Sequence, residues 1–250
     1  MRSGRASDAG PAEYVEILSD KATGKLPLVV GGQAVNLWAL TFEKSAKDLA
    51  SHKPFTSVDC DVVASQGWVR TIAPKHHLKY RTFRAGAASL AVGVIHIPLA
   101  SGDTEVQVLR NIRGLSQKEL ESSAVELLFD GRQFRVINPI SLLKAKLANV
   151  VELNQTERQD VRHVIILTYC VRGFLKMQLQ AYKNKEITAR DCVEICDFAA
   201  QVISSENAAR VAIEYGVDFT NLIPKEDLKR VSEPKFENFL SKRLPSLGLV

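Results

Sequence analysis

Two aspartates, Asp59 and Asp61, stand one residue apart in the mostly apolar run SVDCDVVA, residues 57–64. In an extended chain successive side chains alternate between faces, so both carboxylates project to one side. Val58, Cys60 and Val62 then point to the other side, into a core. Adjacent carboxylates repel, and burying them without a partner is costly. A divalent cation relieves that cost, and a ligand set made only of oxygens favours Mg2+ or Mn2+. Upstream, the run Leu28-Val29-Val30 ends in Gly31 and Gly32, and a helical segment follows from Gln33 to Phe42. Glycines there let backbone N–H groups approach an anion at a helix N-terminus. A cation site beside a phosphate cradle is the equipment of nucleotidyl transfer.

The elements that must hold these residues follow from periodicity and punctuation. Tyr14, Val15, Ile17 and Leu18 predict an amphipathic helix over 12–22, broken by Gly24, and Pro27 introduces the first strand. Ala34, Val35, Leu37, Trp38 and Leu40 give the helix after the glycines an apolar face. On that helix Gln33 and Asn36 are either close to the glycine turn, within reach of ribose or phosphate, or solvated. Residues 43–55 read as loop or broken helix, and 67–73 as a short helical turn. A strand over 91–98, the turn Ser101-Gly102-Asp103 and a strand over 104–109 make one hairpin. Residues 116–123 form a helix capped by Ser116 and Glu119. Asp130-Gly131 folds 126–137 into a second hairpin. Beyond Pro139 the spacing is helical, over 140–154, 159–171, 174–182, 189–204 and 208–215. The expected organisation is a disordered stretch over 1–11, an α/β domain over 12–138 and a helical domain over 139–250. The fold class is α+β: a small mixed sheet flanked by helices, then a helical C-terminal domain.

Composition narrows the partners. The 250 residues are 46% hydrophobic, enough for a sizeable core, and the net charge of +5 favours polyanions such as nucleotides or RNA. None of the four cysteines forms a CxxC pair, which fits reduced thiols and a cytoplasmic location. No apolar run approaches the ~18 residues of a membrane span. The opening MRSGRASDAGP lacks the apolar centre of a secretory signal. Cys192 and Cys196, four apart on one helix with no further ligand in step, read as two buried thiols. The stretch KHHLKYRTFR, residues 75–84, interleaves Lys75, Lys79, Arg81 and Arg84 with Tyr80 and Phe83. It could contact RNA; its first reading is an exposed loop. No Walker A loop and no GxSxG are present.

A glycine pair, a helix and then a DxD strand together resemble the DNA polymerase beta-like nucleotidyltransferase superfamily. The similarity is to its small bacterial members, including relatives of type IV abortive-infection toxins. It spans roughly residues 12–170 and implies a helical domain closing over the cleft. It implies attack of an acceptor hydroxyl, on RNA or protein, at the α-phosphate of a nucleoside triphosphate, with Mg2+ or Mn2+ as cofactor. An antitoxin-like protein is a further implied partner. By the same resemblance Asp59 and Asp61 bind metal, Gly31 and Gly32 hold phosphates, and Ser57, the small hydroxyl residue before the DxD, belongs to the nucleotide-binding set. A later strand of the family supplies a third acid. In the matching segment VQVLRNIRGL, residues 106–115, Gln107 stands at that place, and Glu105 lies two residues earlier on the same strand face. Either Glu105 completes the catalytic and metal set, or catalysis is lost and nucleotide or RNA binding remains. A second segment matches at Leu142, Leu143, Lys146, Arg158 and Asp160. There the resemblance gives Lys146 to the triphosphate, and Arg158 and Asp160 to anchoring the helix or completing the pocket. An interaction protein whose helical half is the contact surface is the remaining reading.

Overall fold

The computed structural model describes residues 8–84, 90–100 and 102–249. Among these, seven strands form one mixed sheet: β1 (Leu28–Val30), β2 (Asp59–Val63), β3 (Lys79–Thr82), β4 (Ala91–Leu99), β5 (Gly102–Leu109), β6 (Ala124–Phe129) and β7 (Arg132–Ile137). Their spatial order is β3-β4-β5-β2-β1-β7-β6. β2 lies parallel to β5 and β1 parallel to β7; the remaining neighbours are antiparallel. Cys60, Val62, Ile95, Ile97, Val106 and Val108 are buried on one face of the central strands. The alternation expected of β2 therefore holds from Asp59 onward. Val58 departs from it: it precedes the strand and is 46% exposed. Both hairpins form, and at the tip of the second Asp130 and Gly131 have φ of 49° and 68°, the left-handed pair that a two-residue turn requires. Ser101 of the first expected turn lies outside the described residues.

Helices flank this sheet. The first, α1 (Val15–Leu18), follows a 3-10 turn over Pro11–Tyr14 and is shorter than its periodicity predicts. It stops where Ser19 Oγ donates to Val15 O, and Asp20 is drawn away to Lys75 and His76. Helix α2 (Gly31–Phe42) begins at the glycine itself, two residues before the expected start. Helix α3 (Gln66–Lys75) is longer than the turn expected there, because Ser65 caps it and Trp68, Val69, Ile72 and Ala73 bury one face. Helix α4 (Gln117–Ser122) carries the expected capping box of Ser116 and Glu119. Of the N-terminal stretch expected to be disordered, residues 1–7 lie outside the described set. Residues 8–11 are ordered: Ala9 is buried and pairs with Ser57 through two backbone hydrogen bonds of 2.9 and 3.0 Å.

The C-terminal part is helical: α5 (Pro139–Glu152), α6 (Asp160–Lys183), α7 (Ala189–Ile203) and α8 (Glu206–Tyr215), followed by shorter turns. Two helices expected over 159–182 are one, since Gly173 does not interrupt α6. A Cβ at Gly173 would lie 2.8 Å from the Phe42 ring, so packing explains the glycine. Cys192 and Cys196 are buried free thiols, as expected. The chain divides into two compact units, one of residues up to Thr41 with His52–Leu142, the other of Phe42–Ser51 with the chain from Leu143 onward. No helix among the described residues is long and apolar enough to cross a membrane.

Candidate functional site

Asp61 is directly opposite Val30 in the β1–β2 ladder, so the turn that follows Val30 comes up against its carboxylate. Gly31 occupies that turn with φ of 64°, a backbone conformation that side chains disfavour. A Cβ at this position would lie 2.3 Å from Asp61 Oδ2 and 2.9 Å from Asp61 Cβ. The glycine corner and the second aspartate thus share one place. Asp59 projects from the same face of β2, both side chains being half-buried between the fully buried Cys60 and Val62. Burial pushes the Cys60 thiol far up, and the nearby charges of Asp61 and Asp59 add to that effect. Cys60 is therefore a neutral core side chain behind the carboxylates.

Buried polar contacts hold this corner. Thr104 Oγ1 donates to Val58 O at 2.9 Å, and Tyr14 OH donates to Thr104 Oγ1 at 2.7 Å, which fixes the entry of β2 against β5. Burial raises the Tyr14 pKa, keeping the phenol protonated as that donor. Gln33 Nε2 donates to Ala9 O at 2.8 Å. Asn36 Nδ2 donates to Gln33 Oε1 at 3.1 Å and to Ser57 Oγ at 3.2 Å. Gln33 and Asn36 are fully buried, so of their two open readings the solvated one is excluded. They tie the helix after the glycines to the residues before the DxD. Ser57 is 5% exposed; its hydroxyl accepts from Asn36 and its backbone pairs with Ala9. Trp38 Nε1 donates to Ile137 O at 2.8 Å, fastening α2 to the end of β7. Chain spacing gave no warning of the Ala9 bridge or of Tyr14 and Thr104, residues far apart in sequence.

The neighbouring strand decides how complete the acid set is. Glu105 lies directly across from Asp59, and Gln107 directly across from Asp61. Paired residues share a face, so all four side chains project together. Gln107 Nε2 donates to Asp59 Oδ2 at 3.1 Å. Glu105 Oε1 is 3.1 Å from His96 Nδ1 on β4. No three His, Cys, Asp or Glu side chains among the described residues gather closely enough to cage a metal. Mg2+ is commonly held by one or two carboxylates together with substrate phosphates. Asp59 and Asp61, with a corner that excludes any Cβ, fit that mode.

Lys146 lies in the other unit. The residue is 6% exposed, and its ammonium donates to Asp160 Oδ1 at 2.7 Å, while Arg158 Nε donates to Asp160 Oδ2 at 2.5 Å. Burial raises the Asp160 pKa, but the two cations outweigh it and hold the group below its ordinary value. Arg158 and Asp160 thereby serve as anchors of α5 and α6. In the sheet unit, a cavity of about 320 Å3 lies further along β2, lined among others by Leu28, Val63, Trp68, Leu120 and Arg135. Gly31, Asp59 and Asp61 do not line it.

No protein-family model matches the sequence, and no curated protein matches it. Among solved structures, an antigenic nucleotidyltransferase-like protein from Paracoccidioides brasiliensis superposes with a TM-score of 0.40 at 12% identity, over 65% of this chain and 78% of its own. Overlap that loose assigns neither family nor activity.

Proposed function

We propose that the protein is a metal-dependent nucleotidyltransferase. The observation that carries this reading is the contact of the Gly31 corner with Asp61, with Asp59 beside it on one strand face. Asp59 and Asp61 would hold Mg2+ or Mn2+, which supplies charge neutralisation of the triphosphate when bound. The first N–H groups of α2, at Gly31 and Gly32, would receive phosphate oxygens. An acceptor hydroxyl on RNA or protein would attack the α-phosphorus. The new P–O bond forms as the bond to the β-phosphate bridging oxygen breaks, pyrophosphate leaves, and the hydroxyl proton passes to Glu105. His96 would steer that carboxylate. Phosphate binding by Lys146 would require it to leave Asp160, so its first role is structural.

Labelled nucleotide transfer, measured with Mg2+ and each of the four triphosphates, tests the reading. Wild type should transfer and Asp61→Ala should not; transfer that survives this change would sink the assignment. One observation favours a second reading. Gln107 sits opposite Asp61, and Glu105 is engaged by His96, an arrangement equally suited to binding a nucleotide without transferring it. Triphosphate binding by calorimetry, with no transfer to any acceptor, would select that alternative.

A further inference from the structure

The stretch Lys75–Arg84 is not a loop. Lys79–Thr82 forms the exposed edge strand β3 of the sheet. Its register connects it to the carboxylates. Lys79 is opposite His96, which is opposite Glu105, which is opposite Asp59. Arg81 is opposite Val94, which is opposite Gln107, which is opposite Asp61. Directly opposed residues point to the same side of a sheet, so Lys79 and Arg81 share one face with Asp59 and Asp61. Three inter-strand steps of about 4.8 Å put the two ends of each row ~14 Å apart.

Charge along this face is graded. Its centre is acidic, with Asp59, Asp61, Glu105 and the exposed Asp103, and its edge is basic. Lys75 and His76 just upstream are engaged by Asp20, at 2.7 and 2.8 Å. Lys79 and Arg81 are exposed, and among the described residues neither has a carboxylate partner. The Arg81 guanidinium lies over the Phe83 ring, 4.9 Å from its centre, so the cation is stacked on an aromatic just past the end of the strand. Unpaired cations with an aromatic platform, in line with a reaction centre, suit a flexible polyanion carrying flat bases.

We propose that β3 is the acceptor track: a single-stranded nucleic acid lies across the open face, with phosphates on Lys79 and Arg81 and a base against Phe83. This rests on the carboxylate site being the place of transfer and names the acceptor class for it. A duplex would offer no unpaired base to Phe83, and a protein acceptor would not need the unpaired cations.

Fluorescence anisotropy with labelled single-stranded RNA, single-stranded DNA and duplex, without triphosphate or metal, tests the track apart from the chemistry. The wild type should bind single strands better than duplex, and the RNA and DNA arms decide the sugar. Each phosphate contact contributes a slope near −0.7 in log affinity against log salt. Lys79→Ala/Arg81→Ala should therefore flatten the salt dependence by about 1.4. The charge-matched control Arg190→Ala/Lys229→Ala should leave it unchanged. Phe83→Ala should weaken binding at least tenfold without changing the slope. Circular dichroism melts verify that each variant is folded. Triphosphate binding should be unaltered in the β3 variants, whereas Asp61→Asn should lose triphosphate binding and keep the nucleic acid. Equal slopes for the double variant and its control would overturn the track, as would no single-strand binding by wild type at low salt. Retained nucleic-acid binding with no transfer would overturn the carboxylate assignment instead.

Discussion

Gly31 is closed to substitution for two separate reasons. Its φ of 64° costs a side chain about 1–2 kcal/mol, and any Cβ would enter the space of the Asp61 carboxylate. Gly31→Ala should therefore destabilise the sheet unit by at least that amount and displace Asp61. A lowered melting temperature with triphosphate affinity down at least tenfold is the expected result; unchanged affinity would separate the glycine from the site. Gln107 permits a test that needs no activity. Gln107→Glu puts a further carboxylate directly opposite Asp61 and removes the donor to Asp59. Without metal, the added repulsion should lower the melting temperature. With millimolar Mg2+ or Mn2+ the variant should recover and gain more than wild type does, because the added carboxylate next to Asp59 and Asp61 is a further oxygen ligand for the cation. The DxD face and the glycine corner were legible in the sequence because both depend on short-range spacing, period two and a strand end. The surroundings of Gln33 and Asn36 were left open by the sequence, because their polarity hides the burial that pairing with Ala9 and Ser57 imposes.

Among the elements, α6 shows best how a local rule yields to packing. Glycine in a helix interior normally costs about 1 kcal/mol relative to alanine, so Gly173→Ala ought to stabilise an isolated α6. In the folded chain the added Cβ would meet the Phe42 ring at 2.8 Å. Overpacking of this kind costs about 1–3 kcal/mol, which exceeds the propensity gain. Urea unfolding of Gly173→Ala should show a net loss, and Phe42→Leu in the same background should recover part of it. A stabilised single variant would mean that the ring moves aside freely. The same limit explains β3. Its side chains are exposed on both faces at the edge of the sheet, so no polar–apolar alternation marked it as a strand. The capping box of α4 and the Asp130-Gly131 turn were legible because each is written within a few residues.

At the scale of the whole molecule, the two units should part company in acid. His163 is buried in the helical unit, and among the described residues its ring nitrogens have no hydrogen-bond partner. Burial, followed by the field of Lys146, pushes its pKa well below the ordinary value of 6.5; Asp160 opposes that, and Arg162 and Arg158 add to it. A base with a depressed folded pKa binds fewer protons folded than unfolded, so stability falls as pH drops below about 6.5. Asp160, also in that unit and held low by Lys146 and Arg158, adds a loss at more acidic pH. In the sheet unit Asp20 sits at about 2: burial raises it, but Lys75 and His76 bring it down. Its contribution is complete above the unfolded value of 3.8 and disappears as pH falls toward 2. Both tryptophans, Trp38 and Trp68, belong to the sheet unit, so their fluorescence reports that unit, while far-ultraviolet circular dichroism is weighted toward the longer helices of the other. Between pH 6.5 and 4 the dichroism melting temperature should fall ahead of the fluorescence one. His163→Met should raise the dichroism transition more at pH 5 than at pH 8 and bring the two probes together. Coincident transitions throughout that range, or a His163→Met gain independent of pH, would show that the buried imidazole does not set the acid limb.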